Sequence, residues 1–241
     1  MTSVLKVMTE YCAIYVDDIR LQDLATENPP QYAREMWNYF RAAIPLFSVP
    51  AEMETYLYGT PSNPKLTEPL YDNATYTVSG DQTADFTVSL GAEYANYGIV
   101  SCRVKNFDLS GNVYYTDVPY TYDAETGDFT VSASADSPVP DGTIFDFDFF
   151  TDGQFENTLS PAMMSILGMC FQVVWQDRFN EDWLSNVSKV EDKSFSEQNR
   201  ANKLRADTQR LESLRIKLAE EMRRFSQNRY YNKTVRNKLN F

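Results

Sequence analysis

Three aspartates, Asp146, Asp148 and Asp152, are the residues whose type and spacing best suit chemistry, and Gly153 follows the last of them. Carboxylates this close together serve in calcium loops and as the acid and base of glycosidases. The calcium pattern fails at its third ligand position, where Phe150 stands in place of an oxygen donor. As a pair, Asp146 and Asp148 fall on one face of a strand about 7 Å apart, an arrangement any acidic surface strand shows. Phe145, Phe147 and Phe149 alternate with Asp146 and Asp148, which predicts a strand with one face in a core and the other in water. No metal, cofactor or catalytic residue is expected from this set.

Other chemistries fare no better. Tyr94, Tyr97, Tyr114, Tyr115, Tyr120 and Tyr122 would suit a sugar-stacking platform, but tyrosine is also a common strand residue that pairs across a sheet, and that reading is preferred. The chain has no histidine, which removes Ser-His-Asp and Cys-His catalysis and His-ligated metals. Cys12, Cys102 and Cys170 are few, odd in number and far apart, so buried thiols in a reducing compartment are expected. No Gly-rich phosphate loop, dinucleotide fingerprint or nucleophile elbow occurs. The expectation is a protein that is not an enzyme.

Charge is far more informative. From Asn199 to Phe241 the chain carries 12 basic and 4 acidic residues, whereas the preceding 198 residues carry 10 basic and 30 acidic. A cationic arm on an anionic body suits docking on an acidic partner, a neighbouring copy included. The residues expected to dock are Arg215, Arg223, Arg224, Arg229, Tyr230, Tyr231, Lys233, Arg236, Lys238 and Phe241. The acidic body argues against general nucleic-acid binding, in which phosphate contacts supply most of the affinity. No secretory leader or membrane-length apolar run is read from the sequence.

The elements that must position these residues read as helices, then strands, then helices. Leu5, Met8, Cys12, Tyr15 and Ile19 predict an amphipathic helix over about 4–25. Asn28 with Pro29 and Pro30 predicts a capped start for a second helix reaching Ala43, and a short third helix runs from Pro50 to Tyr58 before Gly59. Strands are predicted at 74–78, 86–90, 97–107, 113–122, 129–133 and 143–151, separated by Gly-containing turns. Ser160 and Pro161 open a helix that is apolar nearly all round and so belongs inside a bundle. Ser194 to Glu197 has capping-box spacing, and Leu204, Leu211, Leu218 and Phe225 then form a narrow seam of the kind that lies on another helix or another subunit.

The fold class expected is α+β: a helical bundle with an inserted antiparallel β-sandwich or barrel-like domain, and a long C-terminal helix with an extended tail. Its parts are 1–65, the N-terminal share of the bundle; 66–152, the acidic β domain; 153–190, the completing helix; and 191–241, the basic helix and docking tail. This layout resembles the head-to-tail connector or neck (adaptor) proteins of tailed bacteriophages. The likeness is carried by the acidic segment Phe145 to Asp152, by Leu159 and the helix Ala162 to Trp183, by Lys193 to Asn199, and by the Arg-rich helix Arg200 to Tyr231. The resemblance implies an about dodecameric homo-oligomeric ring in the virion, made in the host cytoplasm. It further implies a portal protein and a next neck or tail protein as partners, DNA passing without sequence-specific contact, and no cofactor. A tail or baseplate adaptor, or a carbohydrate-binding β module on a helical scaffold, are the alternatives.

Overall fold

The computed structural model describes residues 1–16, 18–187 and 197–239. Two compact units divide the chain: one of Met1–Asp17, Trp37–Thr67 and Gln154–Phe241, the other of Asp18–Met36 and Glu68–Gly153. The architecture is mixed α+β, with its sheets antiparallel. The β-rich unit takes in residues 18–36, which the sequence reading had placed with the N-terminal helices; the hydrogen bonds made by Asn28, described below, account for it.

The helical unit begins with β1 (Thr2–Ser3) and α1 (Val4–Val7), whose first turn is capped by Ser3 Oγ accepting from Lys6 N at 2.9 Å. A π-helical turn, Met8–Cys12, and a 3-10 turn, Ala13–Tyr15, follow. The single helix expected over 4–25 is therefore broken: Val16 is extended (φ −88°, ψ 108°), and α2 (Ile19–Glu27) starts afresh in the other unit. The wider turn puts the Tyr11 carbonyl against Gly168, where a Cβ would lie only 2.4 Å from that oxygen, so only glycine admits the approach.

α3 (Pro29–Ala43) starts as expected, with Asn28 Oδ1 accepting from Gln31 N at 3.3 Å and two prolines in the first turn, where no amide hydrogen is missed. A 3-10 turn, Ile44–Leu46, ends it at Pro45, and α4 (Glu52–Tyr58) stops at Gly59 with φ +77°. The short hairpin β2 (Gly59–Thr60) and β3 (Asn63–Pro64) and the strand β4 (Leu66–Thr67) complete this stretch.

In the β-rich unit the strands are β5 (Tyr71–Thr77), β6 (Phe86–Ser89), β7 (Ile99–Phe107), β8 (Val113–Asp117), β9 (Tyr120–Asp123), β10 (Asp128–Val131) and β11 (Ile144–Phe150). They form two sheets of order β5-β11-β7-β8 and β6-β10-β9, both open, so the barrel alternative does not hold among the described residues. The strand expected over 113–122 is two strands in different sheets. Pro119, which has no N–H for a ladder, sits at the crossing, and its carbonyl accepts from Ser132 N at 3.0 Å. Val88, Phe129 and Val131 of one sheet and Cys102, Phe145, Phe147 and Phe149 of the other share one core, with Phe129 4.6 Å from Phe147 between ring centroids. Each such phenylalanine contributes about 1.5–3 kcal/mol through burial.

Back in the helical unit, β12 (Gln154–Phe155) pairs with β1 and β4. Ser160 Oγ accepts from Met163 N at the start of α5 (Pro161–Val187), which buries Leu167, Cys170 and Phe171 completely and sets Trp175 edge-on to Tyr39 at 4.8 Å. The residues proposed for the capping box before Glu197 lie outside the described residues. α6 spans Glu197–Leu239, about 65 Å of helix. The helix expected to run from Arg200 to Tyr231 before an extended tail continues through Leu239, for the stretch after Tyr231 holds no proline or glycine to stop it. No described helix is long and apolar enough to cross a membrane.

Candidate functional site

β11 lies in the middle of its sheet, hydrogen-bonded to β5 on one side and β7 on the other, and its side chains alternate between two covered faces. One face carries Phe145, Phe147 and Phe149 into the core. The other carries Asp146 and Asp148, and it is not the solvated face the sequence suggested: Asp148 is 2% exposed and Asp146 7%. Asn28 closes over them. Its Nδ2 donates to Asp148 Oδ2 at 2.6 Å and to Gln31 Oε1 at 3.1 Å, and its Oδ1 accepts from Ser101 Oγ at 3.1 Å. One residue therefore caps α3 and ties that helix start to the sheet.

Arg103 stands opposite Asp146 on β7, and its Nη2 donates to Asp148 Oδ2 at 2.9 Å while lying 3.6 Å from Asp146 Oδ2. From β5, the Tyr71 hydroxyl donates to Asp148 Oδ1. Asn73 Nδ2 reaches Asp148 Oδ1 at 3.0 Å, Phe147 O at 3.1 Å and Asp146 Oδ1 at 3.2 Å. Guanidinium groups stack on the outer tyrosines: Arg34 is 4.6 Å from the Tyr71 centroid and Arg103 4.2 Å from that of Tyr115. Burial, and then the hydrogen bond to Asp148, push the Tyr71 hydroxyl well above the ordinary phenol value, so it remains a donor. Arg103 Nε has no hydrogen-bond partner among the described residues.

Asp148 thus accepts four hydrogen bonds in a sealed site, and its carboxylate has no free face for a substrate proton. The cluster is a polar core holding helix to sheet. Sequence reasoning missed Asn28, Tyr71, Asn73, Ser101 and Arg103 as its members. The available signal was Arg103, one of only two cations in residues 66–152 against 15 acids. Among the described residues, no three or more His, Cys, Asp or Glu converge as metal ligands.

The six tyrosines do not converge either. Tyr94 and Tyr97 pack on Phe149, and Tyr120 and Tyr122 on Phe129, all turned toward the core. Tyr114 and Tyr115 are neighbours on β8 and point to opposite faces.

Charge follows the division of the chain. The β-rich unit holds 19 acidic and 4 basic residues, a net of −15, and the helical unit 15 acidic and 18 basic, a net of +3. Of the residues expected to dock, three have partners inside the helical unit. Arg215 Nη2 bonds Asp177 Oδ2 at 3.0 Å, and Arg224 Nη1 bonds Glu221 Oε1 at 2.7 Å. Arg229 lies 5.7 Å from the Tyr56 centroid, 3.5 Å from Met53 Sδ and 4.0 Å from Glu52. The seam is also filled from within: Leu211, Leu218 and Met222 are buried, and Phe225 meets Phe47 edge-on at 5.7 Å. Arg223 is exposed, with no ion pair to the described residues. Tyr230, Tyr231, Lys233, Arg236 and Lys238 fall on the last turns of α6, and Phe241 lies outside the described residues.

No protein-family model, curated protein or solved structure matches this chain.

Proposed function

We propose that this chain is a structural virion protein of the phage neck, an adaptor that assembles as a homo-oligomeric ring between portal and tail and forms part of the DNA passage. The observation that carries the reading is the separation of charge: a unit of net −15 and a helical unit whose last 20 residues hold six cations and no acid. Complementary patches on one subunit favour heterologous contacts, which close into a ring when the rotation fits. The β-rich unit is read as a two-sheet sandwich displayed by the ring, and an acidic wall repels the DNA that passes it, since no phosphate is neutralised.

The docking element is the C-terminal end of α6 from Tyr230 onward, together with Arg223. The turns before it are held by the chain's own core. Removing residues 234–241 leaves the seam of Leu211, Leu218, Met222 and Phe225 in the chain. Deletion of Thr234 to Phe241 is expected to leave circular dichroism and the melting temperature unchanged while abolishing assembly on purified portal rings, scored by electron microscopy and co-sedimentation. Full-strength assembly by the truncated chain would refute the reading. Raising salt from about 50 mM to about 500 mM should weaken the wild-type contact, because exposed opposite charges are screened.

A further inference from the structure

The β-rich unit has one open cleft whose chemistry matches the chain's own C-terminal end. It measures about 760 Å3 and lies where β7 and β8 meet the loop that leads into β11. One part of its wall is apolar and stiff, built by Phe107, Val118, Pro138 and Pro140, and Phe107 is 56% exposed; Asn106, Ser132, Ser137 and Thr143 make the rest polar. Asp117, on the edge strand β8, and Asp141 are exposed, and Asp141 Oδ1 already accepts from Gly80 N at 2.6 Å. Lys105 is the cleft's only cation, and its ammonium is turned toward the Phe107 ring, 5.9 Å from the centroid. The unit around the cleft has a net charge of −15.

A ligand for such a surface needs cations and bulky apolar side chains on one short segment. Residues 228–241 supply four cations and no acid, with Val235, Leu239 and Phe241 between and after them. We propose that this cleft receives the C-terminal segment of a second copy of the chain, Lys238 pairing with Asp117 and the apolar residues lying against the proline wall. The inference rests on the assembly reading above and names its partner surface. A donor end and an acceptor cleft on different copies make the heterologous contact that a ring needs.

A charge swap tests it with the full-length protein. Asp117→Lys and Lys238→Glu should each weaken association at about 50 mM salt by about fivefold, the scale of an exposed ion pair replaced by repulsion. An equimolar mixture of the two variants should recover wild-type mass in analytical ultracentrifugation, since every contact in an alternating assembly is again complementary. A double variant that recovers alone, together with a mixture that does not, would place the arm in its own cleft and overturn the proposal. A fluorescein-labelled peptide of residues 228–241 gives an independent reading even if the chain stays monomeric without its platform. It should bind the wild-type chain, bind Asp117→Lys about fivefold more weakly, and regain affinity for that variant when it carries Glu at position 238. Circular dichroism checks the fold of Asp117→Lys, with Asp117→Asn as the milder substitute. Equal peptide binding by all variants, or none by the wild type, would overturn the cleft. Salt-sensitive assembly on the portal would then still support the adaptor reading.

Discussion

Replacing Asp148 by alanine should be among the most damaging single changes in the β-rich unit. The substitution removes the acceptor of four hydrogen bonds and leaves Arg103 with Asp146 alone, at 3.6 Å. Breaking a buried ion pair from one side costs about 3–5 kcal/mol, because the surviving charge stays desolvated. The Asn28 amide and Tyr71 hydroxyl would lose their best acceptor as well, though such losses in one network do not add. For a chain of this size, 3–5 kcal/mol corresponds to a fall of about 6–20 °C in the melting temperature of the transition that includes this unit. Asp148→Asn keeps an acceptor oxygen and should cost about half as much.

Differential scanning calorimetry with Asp136→Ala as an exposed control measures the effect. That control should stay within about 0.5 kcal/mol of wild type. A double variant, Arg103→Ala with Asp148→Ala, should cost less than the sum of the singles by about 1–3 kcal/mol, since each single strands the other's partner. If Asp148→Ala melts with Asp136→Ala, the polar cluster does not hold helix to sheet and the account of this unit is wrong.

Gly168→Ala should destabilise the helical unit by about 1–2 kcal/mol in urea unfolding although alanine is the better helix former by about 1 kcal/mol, because the added methyl meets the Tyr11 carbonyl at 2.4 Å; an unchanged or higher midpoint would refute the close approach. Cys12, Cys102 and Cys170 are buried, so Ellman's reagent at pH 8 should find no reactive thiol in the native protein and three after unfolding. Burial lifts the Cys102 and Cys170 thiols from the ordinary 9.0 to about 12, so their protonated forms favour the fold fully below pH 9. Stability should then fall as the pH rises from 9 towards 12, by about 1.4 kcal/mol per thiol per pH unit, and Cys102→Ala should flatten the slope.

How much of this was legible in the sequence depended on whether the deciding contact was local. The Asn28-Pro29-Pro30 start, the Gly59 stop and the Ser160-Pro161 start are set by residues within a turn of each other, and each falls where those residues predict. The break after Tyr15 was not legible, because the apolar spacing runs unbroken through it. The turn before the break brings the Tyr11 carbonyl against Gly168, a contact 157 positions away that local spacing does not report. The aspartate face of β11 was misread for the same reason. Period-two alternation tells which residues share a face but not what covers it. Here the cover is Asn28, separated from Asp148 by 120 positions and already accounted for as a helix cap.

Reading the arm as one docking element joined two things that the structure separates. The heptad spacing of Leu211, Leu218 and Phe225 reports a helix that must bury one stripe, and this chain supplies Phe47 and α5 to receive it. A stripe satisfied at home has no affinity left to offer a partner. Charge behaves differently. Arg215, Arg224 and Arg229 find a carboxylate each, but an exposed pair such as Arg224 with Glu221 contributes only a few tenths of a kcal/mol, and residues 222–241 hold six cations and no acid in sequence. The apolar seam fixes where the helix lies, and on the proposed reading the cations at its end select what it meets. The match proposed above is an acidic surface, and the β-rich unit, with its net charge of −15, is the candidate this chain itself supplies.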